Sequence, residues 1–237
     1  MLYLGDCLDI LPTISQKIDL VLVDLPYGQT NNGWDVCIDL KCMWGELKKI
    51  CKESCVYIFF TTTKYGVALI NSNPSWFRYD LIWEKSKVSG YLQSKMDQLR
   101  THEMIYVFIN PKRHKINKTV IKPIYNPQMS LGKPYNTIGR GKNKNYNSIR
   151  INAVNLGTRY PKSILKFNNE KKTVHSTQKP VLLLEYLIKT YSNEKDTVLD
   201  FTMGSGSTGV ACRSTKRLFI GIEKDKDIYY SAVNRLW

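Results

Sequence analysis

The sequence predicts an α/β protein with a doubly wound, mostly parallel sheet and a basic, loop-rich insertion. Apolar runs of strand length alternate with segments of helical character in both terminal parts of the chain, and sustained periodicity is absent between residues 111 and 172. A chain of 237 residues, 43% of them hydrophobic, is long enough for one such domain with a proper core.

The first half of the chain predicts four strands and two helices. The run IDLVLVD at 18–24 is continuous, apolar and rich in β-branched residues, which suits a strand buried on both faces of a parallel sheet. Similar runs predict strands at 54–61, 78–85 and 103–110, and the segments predicted to be helical are 40–53 and 64–72.

The last part of the chain predicts three helices and two strands. In KPVLLLEYLIKTY at 179–191, Pro180 is expected in the first helical turn, with Ser176 or Thr177 ahead of it as the cap. The remaining elements are a strand at TVLDF, a glycine turn entering a helix at GSGSTGVACRST, a strand at RLFIGIE and a terminal helix at DIYYSAVNRL.

The excess of basic charge is concentrated in one segment. The chain has a net charge of +15, from 35 Lys and Arg against 20 Asp and Glu. Residues 111–172 hold fifteen of the basic residues and a single acid, Glu170, which gives +14, whereas the remainder has 20 basic and 19 acidic residues, which gives +1. This distribution is typical of a polyanion-binding insertion, with a solvated charged face as the alternative. Aromatic side chains able to stack on bases are interleaved with the lysines: Tyr125, Tyr135, Tyr146, Tyr160 and Phe167.

The sequence disfavours membrane, secreted and metal-binding proteins. No apolar run approaches the roughly 18 residues of a membrane span and no secretory signal is recognisable, so we expect a cytoplasmic protein. The six cysteines form no C-x-x-C pair and are expected to be reduced. Cys51 and Cys55 could meet on one helix face near His102, but the spacing is wrong for zinc and we expect no metal. We expect His102 and His175 to be structural.

A glycine-rich turn near the end of the chain predicts a ligand site. The sequence G-x-G-x-x-G at Gly204, Gly206 and Gly209 lies between a predicted strand and a predicted helix, where glycines allow close approach of a ligand. Asp200 closes the strand, and a carboxylate there repels a pyrophosphate but attracts a cationic head such as the ammonium of a methionyl group. Glu223 ends the next strand, where a carboxylate can accept hydrogen bonds from ribose hydroxyls. The alternative is a structural turn with two surface acids.

A second candidate site follows the first buried strand, at DLPYG, residues 24–28. Asp24 offers a side-chain acceptor, the Leu25 carbonyl a second acceptor, and Tyr27 a flat ring that can hold a base by its face. Two acceptors that bind both hydrogens of an exocyclic amine would expose the nitrogen lone pair for alkylation, with no covalent enzyme intermediate. The alternative is an ordinary strand exit with an Asp-initiated turn.

Taken together, the ordered motifs resemble the beta-group amino DNA methyltransferases. DLPY comes first, HSTQKP at 175–180 follows far downstream, and DFTMGSG at 200–206 comes last. The resemblance covers roughly residues 1–110 and 173–237, which it identifies as a catalytic domain with a Rossmann-like class I methyltransferase fold. It leaves 111–172, the segment that carries the basic charge, as a target-recognition insertion. Shorter matches in the same order are GDCLDIL, IWEKS and THEMIYVF.

The resemblance also implies a cofactor and roles for individual residues. It implies S-adenosylmethionine as the cofactor and a catalytic tetrapeptide of Asp24, Leu25, Pro26 and Tyr27. The residues implied at the cofactor are Asp6 near its adenine, Glu223 at the ribose, Lys179 near its carboxylate, and Asp200, Gly204 and Gly206 along its methionine part. Four more residues are implied as cofactor-binding without a specified part of the molecule: Cys7, Asp24, Phe201 and Ser205. The chain departs from the usual pattern where Leu25 and Ser176 replace prolines and Phe201-Thr202 replaces Pro-Phe.

These implications lead us to expect a site-specific adenine-N6 methyltransferase that acts on double-stranded DNA. Such an enzyme extrudes its target base, because a stacked amine is out of reach. Cytosine-N4 methylation is the nearest competing activity, although that branch more often begins its tetrapeptide with serine. A methyltransferase that acts on RNA or on a protein amide is a second competing hypothesis, and a nucleic-acid-binding protein without catalytic activity is a third. The resemblance is compatible with a homodimer and with a restriction-modification system.

Overall fold

A computed structural model describes residues 1–29, 35–111, 122–139, 152–170 and 178–237. It also gives the backbone of four two-residue strands between these ranges: Lys115–Ile116, Thr119–Val120, Lys142–Asn143 and Ser148–Ile149. Contacts between Cα atoms divide the chain into two compact units, Met1–Asn126 with Ser163–Trp237, and Pro127–Lys162.

The larger unit is built on an eight-stranded sheet. We number its strands β1 (Leu2–Leu4), β2 (Ile18–Asp24), β3 (Cys51–Thr61), β4 (Phe77–Ser89), β5 (Arg100–Ile109), β6 (Ile164–Lys166), β7 (Thr197–Asp200) and β8 (Leu218–Glu223). Their order is β1-β8-β7-β2-β3-β5-β4-β6, and each neighbouring pair is parallel except the two pairs that involve β5. The predicted mostly parallel sheet is therefore confirmed.

The described residues form six α-helices, of which five join strands and the last follows β8. Several of them are capped by the side chain of the residue before their first turn. The helices are α1 (Cys7–Ile10), α2 (Leu40–Ile50), α3 (Thr63–Ser72), α4 (Val181–Tyr191), α5 (Ser207–Ser214) and α6 (Lys226–Leu236). Asp39 accepts from the Cys42 amide at the start of α2, and Asp225 accepts from two amides at the start of α6. None of the helices in the described part of the chain has the length and apolar character needed to cross a bilayer.

Two hydrophobic clusters, one on each face of the sheet, form the core. Alternate residues of β2 belong to different clusters, with Val21 and Val23 in one and Leu20 and Leu22 in the other. Helices α2 and α3 contribute to the first cluster, and α4 and α5 to the second. The central strand is therefore buried on both faces, as its continuous apolar sequence predicts.

Three details of the predicted elements are wrong. The helix predicted at 40–53 ends at Ile50, and Cys51 and Cys55 lie in β3 rather than on a helix face. Pro180 is the N-cap of α4 rather than a residue of its first turn, and the Glu170 carboxylate accepts from the Val181 amide at 2.9 Å. The expected caps Ser176 and Thr177 lie outside the described residues. The prediction also omitted β1 and β6.

The smaller unit, Pro127–Lys162, consists of short antiparallel pairs. Tyr135–Thr137 pairs with Ala153–Asn155, and Ser130–Leu131 pairs with Thr158–Arg159. The Arg159 guanidinium lies 4.5 Å from the centre of the Tyr135 ring. This unit is narrower than the predicted insertion at 111–172, because β6 pairs with β4 in the main sheet and Asn126 hydrogen-bonds to the end of α4.

Two glycines inside helices allow a matched test of how tightly α3 packs against β5. A Cβ at Gly66 in α3 would lie 2.5 Å from the buried Tyr106 ring, whereas one at Gly45 in α2 would meet nothing within 4 Å. We expect Gly66→Ala to lower the free energy of unfolding by ~1–3 kcal/mol through overpacking. Gly45→Ala should raise it by ~0.5–1 kcal/mol through helix propensity. Urea unfolding measures both, and equal effects of the two substitutions would contradict the packing described.

Candidate active site

The turns that follow β2 and β7 meet at one edge of the sheet. The two strands are parallel neighbours, with Val21 opposite Leu199, so both chains leave the sheet at its carboxyl edge. The Thr202 hydroxyl donates a hydrogen bond of 2.9 Å to the main-chain carbonyl of Asp24, 178 positions away in the sequence. The DLPYG turn and the glycine loop, which sequence reasoning identified separately, are therefore in direct contact.

Both carboxylate oxygens of Asp24 have a partner. The Tyr27 hydroxyl donates to Oδ1 at 2.6 Å, and the Lys179 ammonium lies 2.5 Å from Oδ2. The side chain of Asp24 keeps 28% of its surface exposed. The carboxylate is thus held in one orientation while part of it stays accessible from the edge of the sheet.

Lys179 connects Asp24 to a second partly buried acid, Glu103. Its Nζ is 3.3 Å from Oε2 of Glu103, and Lys85 lies 3.3 Å from the other oxygen of Glu103. Burial alone would lower the pKa of Lys179, but the carboxylates of Asp24 and Glu103 outweigh burial and raise it. Burial alone would raise the pKa of Glu103, and the two lysines reverse that effect and lower it. Lys179 and Glu103 are therefore both charged at neutral pH.

The Tyr27 ring lies against a second aromatic side chain. Its centroid is 5.5 Å from that of Tyr65 in α3, with the ring planes tilted by 50°. Burial and the neighbouring Asp24 carboxylate hold the pKa of the Tyr27 phenol well above its usual value. The phenol therefore stays protonated and acts as a donor toward Asp24.

Asp35 holds the turn that carries Tyr27. Its Oδ1 accepts from the amides of Tyr27 and Gly28 at 2.7 and 2.9 Å, and its Oδ2 accepts from the Gln29 amide at 2.9 Å. Gly28 has φ of +62°, a conformation that glycine adopts at little cost. Three charge-assisted hydrogen bonds to successive amides thus fix the chain as it leaves Pro26.

The glycine loop surrounds a buried carboxylate at the end of β7. Asp200 is 4% exposed, and its oxygens accept from the Thr208 hydroxyl at 2.6 Å and the Thr202 amide at 3.3 Å. Burial raises the pKa of Asp200 to about 7, against the opposing effect of these hydrogen bonds. Gly204 has φ of +52°, and a Cβ there would meet nothing within 4 Å. The loop therefore has open space above an acid that a cationic ligand would keep ionised.

The ends of β8 and β1 bring two further acids to the same edge. Leu4 pairs with Glu223, and the Gly5 amide donates to the Glu223 carbonyl. The Glu223 carboxylate accepts from the Gly204 amide at 2.9 Å, which ties it to the glycine loop. Asp6 caps α1 and lies 2.9 Å from the Lys224 ammonium.

Several of the other residues singled out in the sequence lie in the core or at the start of a helix. Leu25 and Phe201 are buried in the hydrophobic core. Ser205 accepts hydrogen bonds from Arg235 through both its carbonyl and its hydroxyl oxygen. Gly206 is the N-cap of α5 with φ of +76°. Pro26 is half-buried in the turn, Cys7 is buried at the start of α1, and His102 is exposed on β5, whereas His175 lies outside the described residues.

Sequence reasoning missed three residues that organise this site: Glu103, Asp35 and Thr202. Glu103 had a detectable signal, because an acid next to the apolar run MIYVFI needs a charged partner once the strand is buried. Asp35 and Thr202 had none, because their partners are main-chain groups whose positions depend on the fold.

The chain has the fold of the class I methyltransferases. The structure aligns over its full length with a solved M1.HpyAVI–SAM complex, with a TM-score of 0.68 and 21% identity, covering 99% of that chain. It aligns equally well with PvuII DNA methyltransferase, described as cytosine-N4-specific, with a TM-score of 0.68, 15% identity and 86% coverage of that chain.

At the level of sequence, the model of the family N6_N4_Mtase, described as DNA methylase, matches residues 18–234, and the chain belongs to this family. It is 26% identical over 249 residues to the type II methyltransferase M1.MboII of Moraxella bovis, covering 94% of this chain and 90% of that protein. It is 35% identical over 127 residues to the type II methyltransferase M.HindIII of Haemophilus influenzae, covering 49% of this chain and 41% of that protein. The predicted resemblance is confirmed, and the family is one of enzymes that modify adenine N6 or cytosine N4.

The raised pKa of Asp200 predicts how stability depends on pH. Because the folded chain holds this proton more tightly than the unfolded chain does, stability should fall as the pH rises from about 4 to about 7 and then level off. Each pH unit below 7 corresponds to ~1.4 kcal/mol of unfolding free energy, so the wild-type protein should lose up to roughly 3 kcal/mol between pH 5 and pH 8 through ionisation of Asp200. Asp200→Asn cannot ionise at this position and should not show this loss. Urea unfolding of both proteins at the two pH values measures the difference, and parallel pH profiles would contradict a buried, protonated Asp200.

Proposed function

We propose that this chain is a site-specific DNA methyltransferase that transfers a methyl group from S-adenosylmethionine to the N6 amine of an extruded adenine in double-stranded DNA. The observation that carries the proposal is the contact between the two turns, the 2.9 Å hydrogen bond from Thr202 to the Asp24 carbonyl. This contact supports the proposal, because a group that could accept hydrogen bonds from an amine lies beside a loop that could hold a cationic cofactor.

The residues around the glycine loop fit S-adenosylmethionine. Asp200 is buried and hydrogen-bonded, and in its ionised form it would attract the cationic methionyl end. Glu223 has one hydrogen bond on each carboxylate oxygen and retains lone pairs for ribose hydroxyls. Asp6 and Cys7, at the end of β1, would lie toward the adenine, and Gly204 leaves the open space. When bound, the cofactor supplies a methyl group activated by its sulfonium.

Asp24 would act as the acceptor for the target amine. Its carboxylate and the Leu25 carbonyl would each accept one N–H, which would favour a pyramidal nitrogen with an exposed lone pair. Tyr27 would hold the base by its ring face, next to the carboxylate that its hydroxyl orients. The Asp24 carboxylate would then be positioned to accept the proton that the amine releases when its nitrogen gains the methyl group.

Lys179 would act on Asp24 rather than only on the cofactor. The resemblance implies a position near the cofactor carboxylate, yet its ammonium lies between Asp24 and Glu103 at 2.5 and 3.3 Å. In this position it would hold the Asp24 carboxylate aligned before the base arrives. Pre-aligned charge of this kind costs no reorganisation during the reaction.

Adenine is favoured over cytosine by the first residue of the tetrapeptide, Asp24. PvuII methyltransferase, which is specific for cytosine N4, has the same fold at 15% identity, so N4 methylation is the second candidate. The basic segment at 111–172, with its interleaved tyrosines, would recognise the DNA sequence, and the protein would work in the cytoplasm, as a monomer or as a homodimer.

The base and the substrate class can be identified in one experiment. The protein is incubated with methyl-labelled S-adenosylmethionine and either plasmid DNA or RNA at matched salt, and the labelled nucleoside is identified after digestion. We expect N6-methyladenine from duplex DNA. Label only in N4-methylcytosine would replace adenine by cytosine, and label only in RNA or in protein would contradict the DNA assignment.

Replacing the proposed acceptor should separate catalysis from cofactor binding. We expect Asp24→Ala to reduce turnover by about 100-fold or more, because one of the two amine acceptors is lost, while the dissociation constant for the cofactor changes little. Asp80→Ala, at an exposed position of β4, is the control. Turnover and calorimetric cofactor binding are measured for both variants, and wild-type turnover of Asp24→Ala would refute the proposed amine acceptor.

A further inference from the structure

The loop that joins β4 to β5 exposes apolar side chains to solvent. We call residues 90–99 the tip segment. Its side chains include Leu92, which is fully exposed, Met96, which is 79% exposed, and Tyr91, which is 66% exposed. Clustered apolar side chains on a surface mark an interaction site more often than isolated ones do.

The tip segment has a defined backbone structure. Gly90 has φ of +94° and is followed by a turn of 3-10 helix at Tyr91–Gln93. The Gln93 amide donates to the Gly90 carbonyl at 3.0 Å, and the amides of Met96 and Asp97 both donate to the Gln93 carbonyl at 2.8 Å. The chain therefore presents Leu92 on a hydrogen-bonded turn.

The two strands that lead into and out of the tip segment are linked to each other and to the chain that follows β6. Lys85 of β4 pairs with Glu103 of β5 at 3.3 Å. The Asn169 side-chain oxygen accepts from the main-chain amide of Lys87 at 3.1 Å, and the main-chain amide of Asn169 donates to the Ser86 hydroxyl at 3.0 Å. These contacts fix the direction in which the two strands leave the sheet.

The tip segment lies beyond the same edge of the sheet as the amine acceptor. β4 runs parallel to β2, so its carboxyl end points to the edge where Asp24 lies, and β5 starts there. Glu103, near the start of β5, contacts the lysine that is bound to Asp24. From Glu103 to Arg100 the strand advances roughly 10 Å toward the tip segment.

Basic side chains surround the exposed apolar ones. Lys87, Lys95 and Arg100 are exposed and are accompanied by one acid, Asp97, so residues 86–100 carry a net charge of +2. An apolar side chain flanked by cations matches a DNA duplex, in which phosphates border a stack of apolar base faces.

We propose that the tip segment is a DNA-contacting element in which Leu92 inserts into the base stack next to the extruded target, while the flanking cations contact phosphates. This inference rests on the proposed function, because it requires a base to leave the duplex and enter the site at Asp24. Extrusion breaks stacking with the neighbouring bases, and an inserted apolar side chain replaces part of that contact. Leu92 thereby stabilises the duplex from which the base has been removed.

The test compares a paired target with a mismatched one, using a duplex that contains the site mapped by methylation sequencing. We expect Leu92→Ala to lower kcat/KM on the fully paired duplex by about tenfold or more, since base extrusion becomes costlier. On a duplex whose target base is mismatched, the loss should shrink to within about twofold, because little stacking remains to be broken. With 2-aminopurine at the target position, the fluorescence increase on binding should be reduced for Leu92→Ala.

Two further variants make the result specific. Leu92→Phe keeps an apolar side chain of insertable size and should retain most activity on the paired duplex. Leu218→Ala removes a 60% exposed leucine at the amino end of β8, the opposite edge of the sheet, and should have no effect. An equal loss on paired and mismatched targets, or no loss, would overturn the role of Leu92 while leaving methylation intact. Absence of methylation by the wild-type protein would overturn the proposed function, and this inference with it.

Discussion

The parallel pairing of β2 with β7 brings together the two turns that form the centre of the candidate active site. These strands are far apart in the sequence, yet their pairing aligns their carboxyl ends, and the Thr202 hydroxyl joins the two turns through the Asp24 carbonyl. Because β8 and β1 continue the parallel sheet on one side and β3 on the other, Glu223 and Asp6 reach the same edge. A sheet with a different strand order would have separated these acids.

Charge burial is the second constraint on the site. The acids and bases at the end of the sheet alternate from Lys85 through Glu103 and Lys179 to Asp24, so each of these partly buried groups lies beside one of opposite sign. Removing a single partner from such a set leaves a buried charge uncompensated, which costs more than an exposed pair contributes. The site is therefore expected to be rigid before any substrate binds, and its cost to stability is offset by the large cores on both faces of the sheet.

Most of the fold and much of the candidate site could be predicted from the sequence, and the elements and contacts that were not predicted have physical causes. The long apolar strands and the glycine loop were predictable because their signals are local: IDLVLVD is buried on both faces, and the loop glycines adopt positive φ. β6 was not predictable, because three residues within a basic segment become a strand only when β4 supplies a partner. The hydroxyls of Ser176 and Thr177 were predicted to cap α4 because they lie just before it in the sequence. The acceptor for the first amide of the helix is instead the carboxylate of Glu170, which is more distant in the sequence. Glu103 and Lys179 both stood in recognised motifs, but their pairing depends on which strands are neighbours.

The most direct measurement is a crystal structure of the protein with S-adenosylmethionine bound, in which the distance from the sulfur to the Asp24 carboxylate is determined. If both turns form one methyl-transfer site, the target nitrogen must be hydrogen-bonded to the Asp24 carboxylate and also in contact with the methyl group on the sulfur. The distance from the sulfur to that carboxylate should therefore be about 8 Å or less. The methyl group should then point toward Asp24. A cofactor bound at the other edge of the sheet, or with its sulfur far beyond this distance, would contradict a shared site.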